Sequence, residues 1–193
     1  MKANLLLIVA ILILAFSACN KISEDIQRDL IISPDSIKFS IPPMTVNGDS
    51  IVIDNLPTTL VINNFLDSLN RQGGEIYSVN NISEIRLSNF TVDLIPNKND
   101  TVNNRSNFSS IGLINANLSS GTQKDKLAEI TNNSSLDSFS AKLTLKQVMS
   151  NDLLRNYLNN GNLKYSLVIK PRKSTIDTIK AKIGTSYTMT LKK

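Results

Sequence analysis

Leu163-Lys164-Tyr165-Ser166-Leu167-Val168-Ile169-Lys170 places an apolar side chain at every odd position from 163 to 169. That is the period of a strand with one buried face. Beyond a turn over 171–175 the alternation resumes in Ile179, Ala181 and Ile183, and Tyr187, Met189 and Leu191 complete it. Such alternating runs joined by turn residues can pair antiparallel, with 163–170 lying against 177–183. In that register Lys164, Lys170, Lys180 and Lys182 share the outer face, a stripe of like charge with a mild cost.

Outward from this pair the same texture repeats. Phe139, Ala141, Leu143 and Leu145 alternate, and 110–119 and 125–131 are further strand candidates. The stretch from Asn81 to Ile95 changes phase midway: Ile85 and Leu87 have one parity, Phe90, Val92 and Leu94 the other. A bulge near Ser88-Asn89 would return both sets to one face. Ile37, Phe39 and Ile41 form a strand stopped by Pro42-Pro43, and Asn47-Gly48-Asp49 turns the chain into Ile51-Val52-Ile53.

Helical spacing occurs twice inside this pattern, over 58–72, closed by Gly73-Gly74, and over 150–160. Near the start, Ile22, Ile26 and Leu30 suit a short amphipathic helix over 21–32 capped by Ser23, and a tether suits the segment equally well. Many strands with two short helices in connections predict a mainly β fold, an antiparallel immunoglobulin-like β-sandwich formed by one domain over 36–193.

Residues 1–18 belong to a different category. Lys2 precedes an unbroken apolar run from Leu5 to Phe16, which ends in Ser17-Ala18-Cys19. Twelve apolar residues are too few to span a bilayer, which takes about 20, and they suit an export leader. Phe16-Ser17-Ala18-Cys19 resembles the lipobox of bacterial lipoproteins, with Phe16 where Leu, Val or Ile is usual. The resemblance covers about twenty residues and implies cleavage after Ala18 and acylation of Cys19. It also implies a short tether over 19–35 and an outer-membrane location, on the periplasmic or the surface face. The whole chain is similar in texture to small outer-membrane lipoproteins of Gram-negative bacteria. Cys19 is the only cysteine, so the chain forms no internal disulfide and no thiolate metal cluster.

Charge is unevenly distributed. From Lys142 to Lys193 eleven basic residues face only Asp152 and Asp177, whereas Cys19 to Ala141 is net acidic. Lys164, Lys170, Arg172, Lys173, Lys180 and Lys182 are therefore candidate contacts for an anionic envelope component or an acidic protein partner. A solvated, aggregation-resistant sheet face is the plainer explanation. Nucleic acid is a poor match, because this stretch lacks the interleaved aromatics of strand-binding proteins.

Asp35-Ser36-Ile37, Asp49-Ser50-Ile51, Asp67-Ser68-Leu69, Asp100-Thr101-Val102 and Asp177-Thr178-Ile179 share one pattern, acid, hydroxyl, aliphatic. It resembles the O-glycosylation acceptor of certain Gram-negative bacteria, which makes Ser36, Ser50, Thr101 and Thr178 candidate sites. Asp-Ser and Asp-Thr also begin turns before strands without any modification.

The chain contains no histidine, so the commonest general base and metal ligand is missing. Serine nucleophiles have no imidazole to activate them. No catalytic residue, cofactor or metal site is assigned, and a non-enzymatic binding or assembly role is expected. Two alternatives stay open: a glycan or lipid hydrolase using paired carboxylates, and a carrier of apolar ligands. The first needs two acids about 5–10 Å apart in a cleft, the second an empty interior.

Overall fold

A computed structural model describes residues 27–34, 36–58, 60–73, 76–95, 108–133, 142–160 and 162–192. Residues 1–18, expected as a leader, together with Cys19 and Thr101, lie outside them.

Among the described residues ten strands form two antiparallel sheets: β1 Arg28–Ile32, β2 Ile37–Ile41, β3 Ile51–Pro57, β4 Ile82–Leu94, β5 Ile111–Ser120, β6 Gln123–Thr131, β7 Lys142–Thr144, β8 Lys146–Gln147, β9 Leu163–Pro171 and β10 Ile179–Leu191. One sheet runs β1–β10–β4–β7, with β2 sharing the edge of β10 beside β1; the other runs β3–β9–β5–β6–β8. Helix α1 (Ile62–Gly73) and helix α2 (Asn151–Asn160) occupy connections. This is the antiparallel β-sandwich that the alternation predicts.

The inner faces are those the sequence marks. Tyr165, Leu167 and Ile169 of β9 are fully covered, as are Ala181, Ile183, Tyr187 and Met189 of β10 to within 1%. At about 25 cal/mol per Å² of apolar surface, this interleaved layer is what holds the two sheets together. Phe90 of β4 meets Tyr165 edge to face at 5.6 Å. The buried Tyr165 and Tyr187 hydroxyls bond to each other across the sandwich, and the Thr58 and Thr185 side chains also reach Tyr165. The buried phenol tips are thereby satisfied. Desolvation raises the pKa of both phenols. Side chains fill the space between the sheets.

The bulge in β4 falls where the phase change predicts it. Asn89 pairs with Ser186 and Leu87 with Tyr187, leaving Ser88 as the extra residue. Ile85, Phe90 and Val92 consequently face the same core and are buried.

Two expectations are corrected. The runs 163–170 and 177–183 do not pair: β9 bonds to β3 and β5, whereas β10 bonds to β1, β2 and β4. The seven residues 172–178 do not reverse the chain within a sheet; they carry it across the sandwich. Thr175 anchors that crossing, taking the Met44 N–H on its hydroxyl at 3.0 Å and giving its own N–H to the Met44 carbonyl at 2.8 Å. The second correction concerns 28–32, the later part of the segment expected as a helix or a tether; 21–26 lie outside the described residues. Arg28–Ile32 is strand β1, in register with Leu191 to Tyr187, so the sheet begins before the Ser36 boundary and not in a tether. On the edge of β10 this segment pairs with a sheet and buries Ile32 against the core, which a solvated helix would leave exposed.

Candidate functional site

Strand directions define two ends. Arg28, Leu191 and Ile82 stand side by side at one of them, and the Lys192 N–H bonds to the Asn81 carbonyl at 2.8 Å beside them. Ile41, Ile179 and Leu94 mark the other, where β9 passes into β10.

The second end gathers most of the predicted basic residues. Lys170 projects outward at the end of β9, Lys180 outward at the start of β10, and Arg172 and Lys173 lie on the crossing between them. Lys173 Nζ donates to Ser109 Oγ at 3.3 Å. Lys182 lies slightly inward along β10, 3.9 Å from Asp93, in a hollow of about 290 Å³ on the outer face of its sheet. Because β9 and β10 belong to different sheets, Lys170 and Lys180 face opposite sides. The predicted single stripe is instead a basic rim around one tip. Lys164 is not part of it, being at the opposite end of β9. Thr178 and Ser50 sit exposed just before β10 and β3, and Ser36 just before β2, sterically open and also placed where strand-initiating turns belong. Ser68 is exposed on α1.

The first end contains a cleft that the sequence reading did not anticipate. Its floor is shaped by the two helices. In α2, Leu154, Tyr157 and Leu158 are buried, Ser150 Oγ accepts the Leu153 N–H at 3.3 Å, and Asp152 sits in the first turn, where the dipole favours an acid. The helix is fastened at both flanks. Arg155 Nη1 donates to the Ile82 carbonyl at 3.4 Å, and the Tyr157 hydroxyl donates to Asp125 Oδ2 at 2.6 Å. That last bond holds the Asp125 carboxyl below its ordinary range, while burial and the neighbouring carboxylate push the Tyr157 phenol up. In α1, Ile62 and Leu66 are buried, and the Asn70 amide clasps the Tyr77 backbone at 2.7 and 2.9 Å.

Between these helices and the ends of β3, β5 and β9 lies a space of about 800 Å³. Pro57, Leu60, Ile62, Val79, Leu158 and Leu163 give it apolar walls; Asn55, Asn63, Asn159, Asn162, Thr58 and Ser119 give it amides and hydroxyls. Lys164 is the one charged residue of the lining, and its Nζ donates to Asn55 Oδ1 at 3.3 Å. Among the described residues the left-handed region holds Asn55 (φ 60°), Asn162 (φ 50°) and Gly121 (φ 60°), and all three border this cleft. Asn tolerates that region better than other side-chain-bearing residues. Asn162 uses it to turn from α2 into β9, and Asn55 interrupts the β3–β9 register between Ile53 and Leu56. Such a lining can hold a polar ligand. It presents no carboxylate, imidazole or thiol with which to begin proton transfer.

The only available sequence signals were asparagines around 55, 63 and 159–162, and Asn63 and Asn159 fall inside stretches with helical spacing. No protein-family model matches the chain, and no curated protein does. Among solved structures it is similar, slightly, to the decameric BFDV capsid protein, at 14% identity over 85% of this chain and 99% of that one, TM-score 0.33. The 60-mer of the BFDV capsid protein matches at 12% identity over 87% and 95%, TM-score 0.29. Turnip yellow mosaic virus matches at 10% over 84% and 81%, TM-score 0.23. Likenesses this slight assign neither family nor activity.

Proposed function

We propose that the chain is a lipid-anchored binding or assembly protein of the bacterial cell envelope. It is held at the outer membrane through Cys19 and docks an anionic envelope component or an acidic protein by the basic rim at its far tip. The observation that supports this most is the placement of the rim relative to β1. Residues 20–27 separate Cys19 from Arg28, which stands beside Leu191 at the end opposite the crossing from β9 to β10. Thirteen residues of β10 at about 3.3 Å each put roughly 40 Å between the two ends. That exceeds the ~8–10 Å over which exposed charges act in physiological salt. A protein anchored through Cys19 would present Lys170, Arg172, Lys173 and Lys180 away from its own bilayer, toward a partner beyond it.

The test separates anchor from rim. Reversing Lys170, Arg172, Lys173 and Lys180 to Glu is expected to abolish salt-sensitive retention on immobilised polyphosphate, whereas Cys19→Ala releases the protein from the membrane and leaves that retention unchanged. Retention untouched by the reversal defeats the docking role. A mature terminus other than acylated Cys19 defeats the anchor.

A further inference from the structure

We propose that the cleft between α1, α2 and the ends of β3, β5 and β9 is a second binding site, whose ligand is an acidic sugar unit of a glycan. The required chemistry is a hydroxyl-rich ring bearing one anionic substituent. This goes beyond the docking role of the rim and stands independently of it.

The size comes first. A volume of about 800 Å³ falls within the roughly 300–1,000 Å³ common for small-ligand sites, and accepts one or two sugar rings. The second consideration is polarity. A sugar hydroxyl both donates and accepts, and the side chain that answers both demands is a carboxamide, with two donors and an acceptor on one plane. Four of them line this space. Among the described residues no hydrogen bond engages the side chains of Asn63, Asn159 or Asn162. The ring's C–H face, in turn, has Leu60, Val61 and Leu158 to lie against.

The third is charge. Lys164 brings an ammonium, one of whose donors is directed to Asn55 Oδ1, leaving capacity for an anion. No lining residue is acidic, so an anionic substituent meets no like charge. Asp54, adjacent in sequence to Asn55, is engaged by Lys124 at 3.0 Å.

The wall also has a distinctive backbone. Every described residue with a left-handed backbone lies on it, two of them asparagines whose carboxamides belong to the lining. Backbone in sparsely populated regions clusters at binding sites, because the surrounding structure must hold it there.

The experiment is an NMR titration of the full chain carrying Cys19→Ala, with glucuronate, glucose 6-phosphate and glucose as soluble probes and phosphatidylinositol vesicles as a separate arm. Saturable shifts confined to Asn55, Asn159, Asn162 and their neighbours, stronger for either acidic sugar than for glucose, are the expected result. Lys164→Gln should weaken the acidic sugars by about tenfold, as loss of one charge-assisted bond does, and leave glucose within about twofold. Asn159→Ala, at an exposed position, should weaken all three. The fourfold reversal at the rim, whose nearest member Lys170 stands six residues along β9 from Lys164, about 20 Å away and screened, should change nothing, so failure of the rim proposal would leave this result intact. Absence of saturable shifts, equal binding of glucose and the acids with no effect of Lys164→Gln, or a response to the vesicles alone would each overturn the proposal.

Discussion

At the tip, where β9 crosses to β10, the sandwich is plugged. Phe108 and Met44 are 2% exposed, Met44 and Thr175 exchange two hydrogen bonds, and the buried Asn132 Nδ2 bridges the Phe108 and Ile111 carbonyls at 2.7 and 3.2 Å. At the opposite end the corresponding volume is empty, and asparagines line it. One end has used its polar groups on itself and carries charge outside. The other keeps carboxamides along a cavity whose lining holds a single charge, Lys164. Closure of a sandwich end therefore does not follow from the sheets themselves. It depends on whether the connecting segments supply large apolar side chains with internally satisfied backbone.

The sharpest way to break this comparison is to empty both ends. Phe108→Ala is expected to cost about 3–5 kcal/mol, because it leaves an enclosed void. Leu158→Ala should cost clearly less, about 2 kcal/mol, since its side chain already borders open space and no new sealed cavity forms. Urea unfolding midpoints at constant slope read the difference. Equal losses would mean that the cleft is not open in solution.

Next in size are the amides. Asn132→Ala strips a buried donor from two carbonyls and should cost about 1–3 kcal/mol. Asn159→Ala at the cleft should stay within about 0.5 kcal/mol of the parent, as exposed substitutions do. A stability cost at Asn159 matching that at Asn132 would show that the cleft asparagines are structural.

How far could these two ends be read beforehand? The strands could, because burial on one face leaves an alternation that survives in the sequence. Even the Ser88 bulge was legible, from the parity change between Leu87 and Phe90. The pairing of β9 was not: alternation says which residues face inward, not which sheet receives them. The crossing at 172–178 is set by Thr175 finding Met44, 131 positions earlier. Strand β1 was misread because Ile22, Ile26 and Leu30 fit a helical face while Leu30 and Ile32 also fit a strand, and the open edge of β10 decides between them. Alternation puts the basic residues on one face, whereas Lys170, Arg172, Lys173, Lys180 and Lys182 gather around one tip and Lys164 stands at the other end of β9. The cleft was illegible, since its lining comes from four separated stretches of chain and none carries a motif.

A third pair of measurements concerns pH. At the cleft end the Tyr157 hydroxyl lowers the Asp125 pKa. A folded-state value below the unfolded one gives stability that is present above the ordinary carboxylate range and lost as pH falls through the lowered value. Tyr157→Phe should move the Asp125 titration, followed by carboxyl NMR, upward toward its ordinary value, with the Gln123 bond to the same carboxylate still holding it somewhat lower. In the interior the sign reverses. Tyr165 and Tyr187 have raised values, so their contribution is complete below the ordinary 10.0 and is lost as pH rises beyond it. The double variant with Phe at 165 and 187 should flatten that alkaline decline. A steep decline persisting in the double variant would show that other groups drive it.

The smallest expected effect lies at the rim itself. Lys182 and Asp93 are 3.9 Å apart with side chains 43% and 27% exposed, and exposed pairs couple by about 0–1 kcal/mol. Lys182→Met should therefore shift stability by less than about 0.5 kcal/mol, and a double-mutant cycle with Asp93→Asn should return a coupling of similar size that fades with added salt. The rim would then be a surface whose charges contribute little to holding the fold together, in contrast to the buried Asn132 just beneath it. A coupling above 1 kcal/mol would make Lys182 part of the scaffold, and would remove it from the set of residues available to an anionic partner.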